Sequence, residues 1–208
     1  MKIAVITANM GNFDKQVDPV PQSLPFAFFR VTDHDFPLRD RAMTPRLQAR
    51  IPKMFGWQMF PGYDIYIWVD SSCQLSHPDS VKWFWEQMGY EKDMAVFKHP
   101  NRKTVQEEAD YIKQRLAKNC PYITPRYKNE LIDEQLKEID PSAQLYASTA
   151  FIYRNIPVVQ KALKEWWYHT SRFHIVDQLS MPFALREIEK TEIPQSYLKI
   201  PYLKYVRK

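Results

Sequence analysis

The chain has 208 residues, 45% of them hydrophobic and 14% aromatic, and carries a net charge of +5. That length suits one domain with a sizeable core; with only 4 glycines, neither G-x-x-x-x-G-K-[ST] nor G-x-G-x-x-G occurs, which excludes P-loop and Rossmann dinucleotide chemistry. The positive charge suits an anionic ligand, but no run of five like charges marks a nucleic-acid arm, so most Lys and Arg read as a solvated surface.

Residues 2–7 are a short β-branched run of the kind that forms a central parallel strand buried on both faces. Residues 26–32 read as a second strand, reached through a polar, proline-bearing loop. Thr44 followed by Pro45 reads as a helix cap and first turn, and Leu47, Ile51, Met54 and Phe55 then recur at helical spacing, with Pro52 expected to kink or break the helix. Residues 63–69 give the strongest strand signal and end at Asp70-Ser71-Ser72. A Trp-rich helix over 80–88 and a short strand over 94–98 follow. Thr104 and Glu107 form a capping box for a helix with Val105, Ala109, Ile112 and Leu116 on one face. Further expectations are a helix over 129–139, a strand over 144–153, a helix capped by Asn155 and running through Trp166, Trp167 and Tyr168, and a last helix over 177–188 made irregular by Pro182. The tail from Tyr197 is basic and aromatic.

With no repeat or linker, this alternation predicts a single domain over 1–208, an α/β sandwich around a mostly parallel sheet. Such sheets bind ligands at the carboxyl ends of their strands. Two polar strand ends qualify: Thr7-Ala8-Asn9 and Asp70-Ser71-Ser72.

Asp70 closes the apolar run IYIWV, where a carboxylate suits a hard cation bridging diphosphate oxygens, with Ser72 as a hydroxyl or water-mediated ligand. Capping of the next turn is the plainer reading of Asp70. Arg50 and Lys53 share a helix face and suit a diphosphate or a neighbouring carboxylate; surface solvation is the plainer reading. In FHIVDQLS, Asp177 reads as a base, a hydroxyl ligand or a helix cap, Gln178 as a sugar-hydroxyl partner, and His174 as a metal or phosphate contact or a satisfied buried ring. The pairs Trp83/Trp85 and Trp166/Trp167 read as core packing for at least one ring each. No G-x-S-x-G and no H-E-x-x-H occurs, which argues against Ser and zinc hydrolases.

Together these pieces resemble the GT-A class of nucleotide-sugar transferases, and more closely a glycosyltransferase-like family known from plant mucilage and turgor-defect proteins with microbial and viral relatives. The matching stretches are residues 49–72, 98–112, 148–155 and 165–185, carrying R-x-x-K, F-P-x-Y, I-W-x-D, H-P-x-R, E-E-A and D-Q-L-S. The pattern is also similar to the amino-terminal glycosyltransferase domains of multidomain chlorovirus proteins that build a capsid glycan. The resemblance implies a GT-A-like α/β/α sandwich with a mostly parallel mixed sheet, a UDP-sugar donor, a divalent ion (Mn2+ over Mg2+) and glucose or rhamnose as the transferred sugar, weakly favouring retention. Thr7, Ala8 and Asn9 would hold uracil and ribose. Arg50, Lys53, Asp70, Ser71 and Ser72 would line the diphosphate, with Asp70, Ser72 and His174 toward the metal. Asp177 and Gln178 would face the reacting sugar. Ser72 stands where a second acid is common, which favours water-mediated metal binding.

Cys73 and Cys120 make neither a disulfide framework nor a zinc site, and no apolar run nears the ~20 residues that span a bilayer. The opening segment is too soon polar for a signal peptide, so the expectation is a cytosol-like compartment (a host's, if the chain is viral), with any anchor or further domain outside this chain. A glycan or glycoprotein acceptor is the expected partner. The rival is a non-catalytic glycan- or nucleotide-binding module on a GT-A scaffold; a nucleic-acid partner is the weakest alternative.

Overall fold

A computed structural model describes residues 1–39, 42–117 and 129–206. The first strand, β1 (Ile3–Asn9), is buried at every position, as its continuous apolar run predicts. It pairs in parallel with β2 (Ala27–Thr32) and β3 (Ile65–Val69). β6 (Tyr146–Arg154) runs antiparallel to both β3 and β5 (Met94–Lys98), and β5 pairs in parallel with β7 (Lys190–Ile193). The order is β2-β1-β3-β6-β5-β7, so five of the six strands share one direction and their carboxyl ends line one edge.

Side chains alternate across this sheet and feed two cores. On one face Ala4, Ile6, Tyr66, Trp68 and Phe151 pack with α2 (Arg50–Met59) and α6 (Pro157–Arg172). On the other, Val5, Ile67, Val69, Ala95 and Ile152 pack with α3 (Ser80–Met88). A smaller third cluster joins α4 (Val105–Ala117) and α5 (Asn129–Leu136) to Val176 and Leu179. The remaining helices are α1 (Pro45–Gln48) and α7 (Met181–Ala184).

Several elements depart from expectation. Thr44 does cap α1, its Oγ1 accepting from Leu47 N at 3.2 Å. The chain then breaks at Ala49, so Pro52 falls in the first turn of α2, where its missing N–H costs nothing; the non-helical residue is Phe55 instead. α2 lies close against the sheet at Gly56, where an added Cβ would stand 2.3 Å from Ile6 Cδ1. Asn155 does not cap α6; Pro157 starts it, and Asn155 Oδ1 instead accepts from Gln160 Nε2 at 2.9 Å. The expected helix over 177–188 is a 3₁₀ turn, Asp177–Leu179, followed by the four-residue α7, with Pro182 in its first turn. Three short strands escaped the sequence reading: β7 at the sheet's edge, and β4 (Cys73–Leu75) and β8 (Leu203–Tyr205), which form their own antiparallel ribbon. None is long enough to carry an alternation that announces it. Leu116's side chain and Cys120 lie outside what is described. Among the described residues, no helix is long and apolar enough to cross a membrane.

Candidate active site

Asp70 leaves β3 at the carboxyl edge of the sheet. Its backbone N–H donates to Thr149 O at 2.8 Å, which fixes the strand end against β6. Its Oδ1 accepts from Trp68 Nε1 at 2.8 Å, while Lys53 Nζ lies 3.4 Å away. The carboxylate remains 30% exposed and so stays reachable from the edge.

Behind it lies a buried charge cluster. Lys53 Nζ is 2.7 Å from Asp177 Oδ2, and Arg50 Nε is 3.1 Å from the same oxygen. Ser148 Oγ donates to Asp177 Oδ1 at 3.0 Å, and Trp166 Nε1 donates to Asp177 O at 2.7 Å. Register slips between Val96 and Phe97, so Ser148 lies in a bulge of β6; bulges re-aim side chains in this way. Lys53 Nζ also sits 5.5 Å from the Trp68 ring and 5.7 Å from the Trp166 ring. Removing such ions from water is costly unless each finds partners. Burial pushes the Asp177 carboxyl upward, but Arg50 and Lys53, with hydrogen bonds from Lys53 and Ser148, hold it below its ordinary value. Burial pulls the Lys53 ammonium down, against the pull of Asp177 and Asp70.

The expectation that Arg50 and Lys53 sit on a solvated face is thus reversed. Both are buried, Lys53 at 1% exposure, whereas Ile51 and Phe55 are only half-buried. Lys53 joins the two carboxylates that the sequence placed more than a hundred residues apart, and its burial keeps it from touching a diphosphate itself.

At the end of β1 the three expected nucleoside residues divide. Thr7 is 6% exposed and its Oγ1 has no hydrogen-bond partner among the described residues. Ala8 is packed into the α2/α6 core. The Asn9 carboxamide is consumed in folding the following loop: Nδ2 donates to Asp14 O at 2.9 Å, and Asp14 N donates to Asn9 Oδ1 at 3.2 Å. Asp14 then accepts from Ser71 Oγ at 2.5 Å, tying that loop to the Asp70 segment. Thr7, Asn9, Arg30 and Ser71 line a narrow cleft with room for about one water (≈ 20 Å³), too small for a base. Ser72 turns its hydroxyl to the Cys73 thiol, which burial pushes up to about 12.

His174 is fully buried, which lowers its ring to about 4, with the Arg46 charge acting in the same direction. Its Nδ1 accepts from Val176 N at 3.2 Å, so the neutral ring carries its proton on Nε2 and presents a donor rather than a metal-binding lone pair. Gln178 is half-buried beside Asp177, and its carboxamide makes no hydrogen bond among the described residues. Trp68, Ser148, Trp166 and Asp14 were missed as site residues, since nothing in their local sequence separates a ring or hydroxyl that serves a carboxylate from one that packs.

Among the described residues, no group of three or more His, Cys, Asp or Glu side chains gathers to hold a metal ion. Asp70 offers a partly exposed carboxylate at this edge, which fits a hard cation whose other oxygens come from a diphosphate and water.

The family model for the TOD1/MUCI70, glycosyltransferase-like domain matches residues 30–200. No curated protein sequence matches the chain. The fold is similar to that of a glycosyltransferase involved in glycosylation of the major capsid of PBCV-1, with TM-score 0.50, 8% identity, and coverage of 95% of this chain and 82% of that one. It is also similar to the WbbM bifunctional glycosyltransferase, with TM-score 0.53, 12% identity, and coverage of 93% of this chain and 39% of that one. At such identities the likeness shows the fold, a GT-A-type sandwich with a mostly parallel mixed sheet, as the sequence predicts.

Proposed function

Because the chain belongs to the TOD1/MUCI70 glycosyltransferase-like family, we propose that residues 1–208 act as one domain that transfers a hexose or deoxyhexose, glucose or rhamnose favoured, from a UDP-sugar to a glycan hydroxyl. The observation that carries this reading is the Lys53 bridge, which sets an edge-facing carboxylate, Asp70, against a buried one, Asp177. When bound with the diphosphate at Asp70, a divalent cation, Mn2+ over Mg2+, would stabilise the charge of the departing nucleotide. The chain's own part is orientation. Trp68 and Lys53 hold the Asp70 carboxylate. Gln178, whose carboxamide makes no hydrogen bond among the described residues, suits a sugar hydroxyl or the developing charge at the anomeric carbon.

Asp177 makes a poor general base. Its two oxygens are engaged by Ser148, Lys53 and Arg50, and its carboxyl is held below the usual range. An inverting route through Asp177 is disfavoured, and this supports a retaining, front-face route in which the leaving phosphate takes the acceptor proton. The test is calorimetric titration of UDP with and without Mn2+, on wild type and Asp70→Asn, followed by NMR of the anomer released from UDP-glucose. Metal-dependent UDP binding that survives Asp70→Asn would refute the metal assignment, and an inverted product would refute retention.

A second reading, a non-catalytic nucleotide- or glycan-binding module, is favoured by Ser72 in place of a second acid. It predicts UDP binding with no release of UDP from any UDP-sugar.

A further inference from the structure

The basic, aromatic tail from Tyr197 has no part in the site described above, yet it crosses the same edge. β7 runs parallel to β5, so it ends at Ile193 on the carboxyl edge, and β8 pairs with β4 just past Asp70. Residues 194–202 therefore pass as a strap from the β7 side of the sheet to the end of β3. Ile193, Tyr197, Ile200 and Leu203 pack into the core on the α3 face, which fixes its course.

The far end of the strap is tied to the segment that follows Asp70. The β4–β8 ladder sets Cys73 opposite Tyr205 and Leu75 opposite Leu203, and Val206 N donates to Ser72 O at 2.7 Å. Tyr202 O accepts from Ser76 N at 3.2 Å and from Ser80 Oγ at 2.8 Å, and the Tyr202 ring stacks on Trp83 at 4.9 Å. At the near end, Tyr197 stands edge-on to Phe97 with ring centroids 6.0 Å apart, and its hydroxyl shares a hydrogen bond with the Thr149 side chain.

Thr149 is the residue whose carbonyl accepts from Asp70 N at 2.8 Å. It lies with Ser148 in the β6 bulge: Phe151 pairs with Val96 and Ala147 with Phe97, so residues 148–150 have no ladder partner on β5. Bulged backbone has lost part of its ladder, and its aim depends on what else holds it. Ser148 is held through Asp177, and Thr149 through Tyr197. One bulge thus serves both carboxylates, the buried one by a side chain and the edge one by a carbonyl. A phenylalanine would fill the same place against Phe97, so packing does not account for the Tyr197 hydroxyl. Burial raises the phenol above its ordinary value, with the Thr149 bond opposing and the Cys73 and Asp70 charges adding, so it stays protonated at neutral pH.

Resting on the glycosyltransferase reading, we propose that Tyr197 is a positioning residue for the cation and diphosphate: through Thr149 it fixes the backbone from which Asp70 projects. The strap holds the same segment at its other end through Ser72.

The test is calorimetric titration of UDP into the whole chain, with Mn2+ and with EDTA, beside the thermal midpoint of each variant. Tyr197→Phe, which keeps the ring on Phe97, is expected to weaken UDP binding in Mn2+ about tenfold, the scale of one hydrogen bond, and to leave binding in EDTA unchanged. Thr149→Val removes the other hydroxyl and should do the same. The double variant should be no weaker than either single, because both act on one bond. A purely structural tyrosine would lower the midpoint and leave the gain from Mn2+ intact; that result overturns the proposal, as do additive losses in the double variant. If Tyr197→Phe does not fold, Thr149→Val decides on the same readout. Wild type separates the two levels: a gain from Mn2+ that neither variant changes removes this inference alone, and no UDP binding in wild type removes the glycosyltransferase reading and this inference with it.

Discussion

Lys53 Nζ lies 2.7 Å from Asp177 Oδ2, with the lysine side chain fully buried and the aspartate 2% exposed. Such a pair is worth little against an apolar replacement of both partners, but removing one partner strands the other. Lys53→Met is therefore expected to cost about 3–5 kcal/mol in urea unfolding. It should also weaken UDP binding, because Asp70 loses one of its two supports. Wild-type stability in Lys53→Met would show that the charges are not paired in solution.

The contact between α2 and β1 gives a second expectation. Gly56→Ala places a methyl 2.3 Å from Ile6 Cδ1, whereas the next nearest atom is 3.6 Å away. Overpacking of this kind costs about 1–3 kcal/mol, more than the helix-propensity gain of about 1 kcal/mol. Ile6→Val removes the clashing carbon, so the double variant should recover most of the loss. A stabilised Gly56→Ala single variant would contradict the close approach.

Acid should weaken the fold before its carboxylates titrate. His174 is neutral when folded, its ring lowered from 6.5 to about 4 by burial and by Arg46. Between those values the unfolded chain binds the extra proton, so stability is complete above pH 6.5 and falls as pH drops toward 4. The loss from this fully buried ring is on the order of 3 kcal/mol. Half-buried His99, lowered to about 4 by burial and Arg102, adds a smaller amount of the same sign. Asp177, depressed in the folded state, extends the loss below 3.8. Thermal midpoints from pH 7 to 4 should flatten in His174→Gln, and an unchanged slope would exclude His174 as the source.

Metal and nucleotide should bind together. With no group of three or more ligating side chains gathered among the described residues, nucleotide-free protein is expected to show no saturable Mn2+ binding by calorimetry, and UDP should create it. Tight Mn2+ binding without nucleotide would require ligands other than Asp70.

Gln178→Ala should separate activity from stability. Its carboxamide has no partner to lose among the described residues, so unfolding free energy should move by less than about 0.5 kcal/mol. Loss of a donor at the reacting sugar should lower turnover by about 10²-fold. An equal fall in stability would mark Gln178 as structural.

Much of the candidate site was legible because its parts end strong local signals. The run before Asp70 is apolar and β-branched enough to be a buried strand in any setting, and β3 is buried throughout. Asp177 and Gln178 could be singled out locally, but helix capping was the plainer reading of Asp177, and the multi-part resemblance gave them their place at the site. The helix carrying Arg50 and Lys53 was placed correctly, but its buried face was not. Helical spacing reports where apolar residues recur, and here the buried face includes two cations whose partners come from β3 and the 3₁₀ turn.

The sequence by itself determined the five longer strands, a mostly parallel sheet through their alternation with helices, and the polar ends at Asn9 and Asp70. Local preference and hydrophobic period are properties of neighbouring residues, so they survive without the fold. Only the tertiary structure decided what each polar group does. It spent Asn9 on Asp14, buried Lys53 between Asp70 and Asp177, and put the lone-pair side of His174 against backbone. Those roles depend on contacts between segments more than a hundred residues apart, where burial makes a charge's value depend on which partner arrives beside it.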